Sequence, residues 1–301
     1  MNYYKEIKNK LIENENYARI KDYSKERYKV QTYYEVGKIL SEAGKCYGEN
    51  IIGQYAIKLQ EEIGKKYSVT TLKRMRQFYL MIQKGAPLGH QLSWSHYREL
   101  LSIKDINKTI YYIKQCEVRH LTKRELQVIM KNKEYERLDD QTKQKLINKE
   151  EVTLQEIIKN PIIINNKNNR DLLTERDLQN IILENISYFL KELGNKFCFI
   201  DSEYKIKIGD VYNYIDLLLY NSEFHCYVVV ELKVTELKKE YIGQIETYMS
   251  YVDKNIKDYI DNPTIGLTAQ PTFSRANYYS LADNLGGWTY TATKLPTIQY
   301  S

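Results

Sequence analysis

Apolar residues in the first half of the chain recur at spacings of three and four, the period of an amphipathic helix. One stripe consists of Val30, Tyr33, Tyr34, Val36, Gly37 and Leu40, and another of Ile51, Ile52, Tyr55, Ala56 and Leu59. A further helix should begin at Ser68, a residue type that caps helix N-termini. Two Thr-x-x-Glu phrases, at Thr122 and Thr153, have the spacing of capping boxes. The pattern predicts an all-α domain over residues 1–158.

The hydrophobic pattern changes after an Asn-rich segment containing Pro161, which we interpret as a linker over residues 159–170. A helix is predicted from about Leu173 to Leu193, where Gly194 ends it. β-rich runs separated by short turns then predict strands over residues 197–208, 212–220 and 226–233. A helix over 236–256 and a short strand over 264–267 complete an α/β order with one central mixed sheet. The whole chain is therefore predicted to be α+β, with the sheet domain over residues 171–267.

The two halves of the chain carry opposite net charge. The 301 residues hold 45 Lys and Arg against 39 Asp and Glu, a formal net charge of +6. Residues 1–150 hold 30 basic and 19 acidic residues, so this half is at +11, whereas the remainder is at −5. A polyanionic partner is therefore expected to bind a local patch of the helical half.

Cysteine usage and hydropathy favour a cytoplasmic location. The four Cys residues lie far apart without a Cys-x-x-Cys pair, which argues against a zinc site or a disulfide framework. The first residues lack the apolar core of a secretory signal. Because no apolar run reaches the roughly 18 residues that span a bilayer, we expect no membrane partner.

Three charged residues interrupt the apolar strands of the sheet domain. Asp216 lies inside an otherwise apolar strand, and Glu231 and Lys233 follow the apolar run of the next strand. Buried carboxylates are costly unless they are paired or bound to a metal. The short turn between the strands places Asp216 opposite either Val229 or Glu231, so the two carboxylates are direct or diagonal neighbours and repel each other. A bound Mg²⁺ would remove that repulsion.

This set of side chains suits metal-assisted hydrolysis of phosphodiester bonds. In that chemistry the cation polarises the phosphoryl oxygen and lowers the pKa of a bound water. Lys233 would orient the nucleophile or stabilise the developing negative charge. The alternative interpretation is a salt bridge on an edge strand, because structural ion pairs resemble such sites in sequence.

The spacing Asp-x14-Glu-x-Lys resembles the signature of the PD-(D/E)XK nucleases. Phrases from about residue 28 to residue 267 resemble the YhcG-type members of that superfamily: Tyr34–Ile39, Met75–Tyr79, Leu92–His96, Tyr135–Leu138, Phe189–Gly194, Tyr214–Leu218 and Gly243–Gln244. The resemblance implies a restriction-endonuclease-like α/β domain. It also implies that Asp216 and Glu231 bind Mg²⁺ or Mn²⁺, that Lys233 is the catalytic lysine, and that Gln244 lies near the scissile phosphate.

The sequence departs from that family at three places. Relatives usually add a carboxylate from the helix before the sheet, where this chain has Gln179, with Asp177 or Glu184 as substitutes. Ser202-Glu203 stands where relatives commonly have Arg-Gln, so an anion replaces a cation that would face phosphate. Residues 268–301 form a divergent tail with three charges in 34 residues. We hypothesise that a frameshift or rearrangement replaced the end of the domain, although a natural divergent terminus would explain it equally.

For the first half, the resemblance implies a winged-helix-like domain that binds nucleic acid. Five cations surround the start and the exposed side of one predicted helix: Lys65, Lys66, Lys73, Arg74 and Arg76. A helix N-terminus with Lys and Arg binds phosphate, and recognition helices use such positions in the major groove of DNA. The alternative is a solvated charged face with no ligand.

Together these observations predict a metal-dependent nuclease whose N-terminal domain binds the nucleic acid, with DNA favoured over RNA as the substrate. A first alternative is a catalytically inactive nucleic-acid-binding protein that retains the nuclease fold. A second is a protein-interaction adaptor, which would show no salt-dependent binding to nucleic acid. A homodimer would suit the cleavage of two strands.

Overall fold

The computed structural model describes residues 2–18, 24–48, 50–89, 92–159, 162–165, 174–234, 239–271 and 287–294. Contacts divide the chain into an N-terminal unit, Met1–Lys131, and a C-terminal unit, Asn132–Ser301. This division lies well before residue 158, where the sequence pattern placed the end of the helical domain. The physical reason is that Leu154 and Ile158 are buried in the core of the C-terminal unit.

Helices make up the described part of the N-terminal unit: α1 (Tyr3–Ala18), α2 (Lys25–Tyr47), α3 (Ile51–Glu62), α4 (Val69–Gln83), α5 (Trp94–Leu100), α6 (Ile106–Arg119) and α7 (Lys123–Lys131). The all-α prediction is confirmed. Ser68 caps α4 as expected, because its hydroxyl accepts a hydrogen bond from the Thr71 N–H at 3.4 Å. No strand occurs among the described residues of this unit, so they show helices without the hairpin of a wing.

Helices α2 and α4 cross at Gly37. A Cβ atom at this position would lie 2.1 Å from the carbonyl oxygen of Met75, a separation that atoms cannot adopt. The missing side chain therefore lets the two helix backbones touch. Apolar residues on both helices, including Val36 and Phe78, are fully buried around this crossing.

The C-terminal unit contains one mixed sheet with helices on both faces. Its elements are α8 (Asp140–Asn148), α9 (Leu154–Ile157), β1 (Ile162–Asn165), α10 (Glu175–Glu184), α11 (Ile186–Leu193), β2 (Phe197–Ile208), β3 (Val211–Asn221), β4 (Cys226–Leu232), α12 (Lys239–Asn255), β5 (Asn262–Pro271) and β6 (Gly287–Lys294). The described strands follow the order β1-β6-β5-β4-β3-β2. Strands β4 and β5 are parallel, and the other neighbouring pairs are antiparallel.

Two hydrophobic clusters hold this sheet between its helices. Leu217, Val230 and Leu267 belong to the cluster that includes residues of α10 and α11. Leu218 and Val229 belong to the other, which includes residues of α12. The alternation of these residues along β3 and β4 shows that the two strands are covered on both sides, which explains why their sequences are almost continuously apolar.

The structure corrects three expectations for this unit. Residues Ile162–Asn165, inside the predicted linker, form a strand that pairs with β6. The predicted helix from 173 to 193 is two helices that meet at Asn185, whose backbone is not helical. Strand β5 extends to Pro271, beyond the predicted end at residue 267. In the part of the chain that the structure describes, no helix is long and apolar enough to cross a membrane.

Candidate active site on the central sheet

Strand pairing brings the two predicted carboxylates side by side. Strands β3 and β4 pair with Leu217 opposite Val230, so continuing this register by one residue places Asp216 opposite Glu231. The sequence left Val229 or Glu231 open as the neighbour, and the register selects Glu231. Because residues directly opposite each other point to the same face, the carboxylates share one side of the sheet.

The protein alone does little to stabilise negative charge on the two carboxylates. Glu231 is 2% exposed, and burial together with the negative charge of Asp216 raises its pKa to about 8. Burial also raises the pKa of Asp216, although the Leu232 N–H, which donates to Asp216 Oδ2 at 2.7 Å, and the charge of Lys233 oppose this. Two acids that resist ionisation in one place are typical of functional sites.

Lys233 lies in the same cluster, one residue beyond the end of β4. Its ammonium is 3.4 Å from Glu231 Oε2 and 3.3 Å from Glu175 Oε2, and it lies 5.2 Å from the ring centroid of Tyr241. Burial acts to lower the pKa of Lys233, but the charges of Glu231, Glu175 and Asp216 outweigh it and raise the pKa. Lys233 therefore remains a positively charged group in a site from which water is largely excluded.

The helix before the strands contributes Glu175 and Gln179 to the site. The Gln179 side-chain amide donates to the backbone carbonyl of Asp216 at 3.0 Å, and Glu175, one turn earlier on α10, contacts Lys233. Neither proposed substitute has this position. Asp177 forms a capping box with Thr174, and Glu184 is exposed in the last turn of α10. Glu175 was not among the residues predicted from the sequence, although its spacing of four from Gln179 places both on one helix face.

Helix α12 adds Tyr248, a second residue that was not predicted from the sequence. The Gln244 amide donates to the hydroxyl of Tyr248 at 2.9 Å, and Tyr248 is 4% exposed. Burial raises the pKa of Tyr248, and the charges of Glu231 and Asp216 add to this effect. Gln244 therefore contacts a tyrosine on which the charges of the two carboxylates act, and its place near the scissile phosphate stays a prediction. The spacing of four residues is the signal that predicts the pair of Gln244 and Tyr248.

Glu203 lies beside Asp216, at the place where the sequence departs from the family. In the register of β2 and β3, Ser202 pairs with Leu217 and Tyr204 with Ile215, so Glu203 stands opposite Asp216. Its backbone is left-handed, with φ of 50°, and its charge helps raise the pKa of Asp216. The substitution therefore adds a negative charge to those of Asp216, Glu231 and Glu175.

The donor atoms fit a hard divalent cation. Glu231 Oε1 is buried and, within the described chain, has no hydrogen-bond partner. The described residues contain no group of three or more His, Cys, Asp and Glu side chains arranged to hold a metal. Mg²⁺ is usually held by one or two carboxylates together with waters and phosphate oxygens, so Asp216 and Glu231 suit it without a larger cage.

An exposed face of lysines and tyrosines lies on the hairpin that β2 and β3 form. Lys205 pairs with Tyr214 and Lys207 with Tyr212, which places the four side chains on one face. Lys205 Nζ is 4.0 Å from the Tyr212 ring centroid, and the two tyrosines are 55% and 52% exposed. We call these four residues the Lys/Tyr face. It begins two residues from Asp216, about 7 Å along the strand.

The predicted cations of the N-terminal unit divide into two groups. Four of them are exposed around the start of α4: Lys65, Lys66, Lys73 and Arg74. Arg76 is half-buried with its guanidinium beside Gly44 of α2, so it does not lie on the exposed side where the sequence analysis placed it. The binding of nucleic acid by these residues stays a prediction.

A mixed sheet between helices, with an aspartate on one strand and Glu-x-Lys at the end of the next, defines a domain of the PD-(D/E)XK nuclease class. The family described as "YhcG PDDEXK nuclease domain" matches residues 155–284, and the "DUF1016 N-terminal domain" matches residues 8–137. Residues 155–284 therefore match the YhcG-type PD-(D/E)XK nuclease domain, and the two matches together cover most of the chain. The nuclease match continues past residue 267, where the sequence analysis placed the start of the divergent tail.

A curated relative agrees with these matches. The chain is 24% identical over 280 residues to a protein of Escherichia coli (strain K12) named "Putative nuclease YhcG", covering 78% of this chain and 75% of the relative. No solved structure is significantly similar to the chain.

Proposed function

We propose that this chain is a divalent-cation-dependent nuclease that hydrolyses phosphodiester bonds of DNA with its C-terminal unit. One observation carries the proposal: a buried oxygen of Glu231, which has no hydrogen-bond partner among the described residues, lies beside a second carboxylate, Asp216, on one face of the sheet. A folded protein rarely leaves such an atom unsatisfied, because a buried polar group without a partner is destabilising. A cation supplied from solution would satisfy it.

Each residue of the site would have a separate role in the reaction. Asp216 and Glu231 would hold the cation, which when bound polarises a phosphoryl oxygen and lowers the pKa of its water. Lys233 keeps a positive charge at the site, where negative charge develops on the phosphate during hydrolysis. Its contacts with Glu231 and Glu175 restrict the ammonium to one place. Gln179 fixes the backbone of Asp216 through its hydrogen bond.

Two surfaces support nucleic acid as the substrate, one on each unit. The Lys/Tyr face of the C-terminal unit combines cations, which attract phosphate, with exposed rings on which bases can stack. The exposed cations at the start of α4 in the N-terminal unit combine positive side chains with a helix N-terminus, a favourable arrangement for phosphate. The experiment tests DNA and RNA side by side.

The experiment compares cleavage of single-stranded, double-stranded and branched DNA and of RNA with Mg²⁺, with Mn²⁺ and with EDTA. Asp216→Asn and Glu231→Gln should each abolish cleavage, because each removes a ligand charge. Glu184→Gln is the matched control, since Glu184 is an exposed carboxylate on α10. Cleavage that persists in both site variants would reject the assignment. Binding of nucleic acid without cleavage under any condition would favour the inactive binding protein.

The role of the N-terminal unit needs a separate measurement. Lys73→Ala with Arg74→Ala should weaken DNA binding and reduce the dependence of the binding constant on salt, because fewer counterions are released. Lys84→Ala is the control, since Lys84 is an exposed cation at the opposite end of the same helix. An equal salt dependence in the double variant and in the wild type would contradict the proposed surface.

A further inference from the structure

The side chain of Thr268 lies in line with the two carboxylates, Asp216 and Glu231. Strands β4 and β5 are parallel, with Val229 beside Gly266 and Glu231 beside Thr268. Val229 faces α12, and a Cβ at Gly266 would meet side chains of that helix, so this is the face that α12 covers. Glu231 and Thr268 are each two residues further along their strands and therefore point to the same face.

Thr268 is buried, and no described residue is a partner for its hydroxyl. Its exposed fraction is 1%, and among the described residues Thr268 Oγ1 makes no hydrogen bond. The neighbouring Glu231 Oε1 is in the same condition. Two unsatisfied oxygens on adjacent strands are unusual, because buried polar groups in folded proteins nearly always have partners.

Another buried threonine on β5 has a hydroxyl that is hydrogen-bonded within the protein. Thr264 is also 1% exposed, and its hydroxyl donates to Asp253 Oδ1 at 2.7 Å. Helix α12 thus supplies a hydrogen-bond acceptor for the Thr264 hydroxyl, whereas no described residue supplies one for Thr268 beside the carboxylates. The difference indicates that the partner of Thr268 is not among the described residues, and a bound cation or its water would supply one.

We propose that the Thr268 hydroxyl is the third side-chain oxygen of the divalent-cation site, acting on the cation directly or through a cation-bound water. The inference rests on the proposed function, because it assumes that Asp216 and Glu231 bind the cation. Hard cations take oxygen ligands and need more of them than two carboxylates supply. Because no third His, Cys, Asp or Glu of the described residues is grouped with this pair to hold a metal, a neutral side-chain oxygen is the candidate for the next ligand.

The test measures cation affinity independently of cleavage, on the full chain. Mn²⁺ is titrated into each variant and followed by electron paramagnetic resonance, and the melting temperature is measured without metal. Thr268→Val replaces the hydroxyl by a methyl group of similar size, and Thr268→Ser restores a hydroxyl. Thr264→Val makes the same chemical change at the structural position, and Asp216→Asn removes a proposed ligand.

The two threonines should give opposite results. Thr268→Val should weaken Mn²⁺ binding about tenfold, as loss of a supporting group at a metal site typically does. Its metal-free melting temperature should stay unchanged or rise, because an unsatisfied hydroxyl is removed. Thr268→Ser should bind like the wild type. Thr264→Val should melt earlier, since it loses the bond to Asp253, yet should keep its Mn²⁺ affinity.

The outcomes separate this inference from the proposed function. If Asp216→Asn weakens Mn²⁺ binding but Thr268→Val does not, the inference is overturned and the proposed function stands. If the wild type binds no Mn²⁺, or Asp216→Asn binds it equally well, the proposed cation site fails as a whole. If Thr268→Val lowers the metal-free melting temperature as Thr264→Val does, Thr268 has a structural role and the inference is again overturned.

Discussion

Replacing Glu192 by Gln should strongly destabilise the C-terminal unit, because this carboxylate serves two buried cations. It contacts the guanidinium of Arg137 and lies 3.8 Å from Lys159 Nζ. Lys159 is also 3.5 Å from Glu134. The side chains of Lys159, Glu134 and Glu192 are each 3% exposed, so water screens these charges little. Gln keeps the size of Glu192 but leaves the buried guanidinium facing a neutral amide.

The expected magnitude follows from this burial. Removing one partner of a buried ion pair costs about 3–5 kcal/mol, because the remaining charge stays out of water. For a domain of this size that corresponds to a fall in melting temperature of about 10 °C. Glu134→Gln should cost less, since Lys159 keeps Glu192. Asp140→Asn is the exposed control: Asp140 is 96% exposed in its pair with Lys143, so the change should stay within about 0.5 kcal/mol.

Differential scanning calorimetry of the full chain measures the shift, and amide hydrogen exchange in β3 and β4 assigns it to the C-terminal unit. The double variant Arg137→Met with Glu192→Leu should recover much of the loss, because an apolar pair of similar volume avoids the desolvation of charges. Equal melting temperatures for Glu192→Gln and Asp140→Asn would refute the reasoning, since buried and exposed pairs would then contribute alike.

Three further changes test other parts of the structure. Gly266→Ala should lower the stability of the C-terminal unit by about 1–3 kcal/mol, because the added Cβ would lie 2.7 Å from a methionine sulfur; an unchanged denaturation midpoint would show that α12 can move away. Tyr212→Ala with Tyr214→Ala should weaken binding to single-stranded DNA by about 1–3 kcal/mol for each stacked base lost, as measured by fluorescence anisotropy. Tyr259→Ala, an exposed tyrosine in the turn between α12 and β5, should leave that affinity intact, and an equal loss would exclude a specific role for the hairpin. Burial lowers the pKa of His96, so its contribution to stability is present above the ordinary value of about 6.5 and is lost as the pH falls through the lower folded value. A histidine NMR titration checks this, and an ordinary pKa would contradict it.

The strands and helix starts could be predicted because their signals are local. Strand β2 occupies Phe197–Ile208 as predicted, and the capping phrases at Thr122 and Thr153 begin helices where expected. The proximity of Asp216 and Glu231 could also be predicted from the sequence, since the short turn between β3 and β4 limits the register to two choices. In each case the residues that decide the structure lie within one hairpin or one helical turn.

The unit boundary and the remaining site residues depend on contacts between distant parts of the chain. Arg137 joins the C-terminal unit through Glu192, 55 residues later, which no local pattern reveals. Glu175 was overlooked because the expected carboxylate position holds Gln179, and only the packed helix shows that the preceding turn reaches Lys233. Thr268 looked like part of a divergent tail because the residues after it are weakly apolar, whereas parallel pairing with β4 buries it.

The strand order also has a consequence for how the domain folds. Strands β2, β3 and β4 are joined by short turns, and the connection from β4 to β5 contains α12, so the contacts of these strands close small loops. The pairing of Ile162 with Tyr290, in contrast, closes a loop of most of the unit. Because long loops are slower to close, β1 and β6 should join last, and pulse-labelled hydrogen exchange should protect β3 before β1. The row of Asp216, Glu231 and Thr268 then lies wholly in the early-forming part of the sheet.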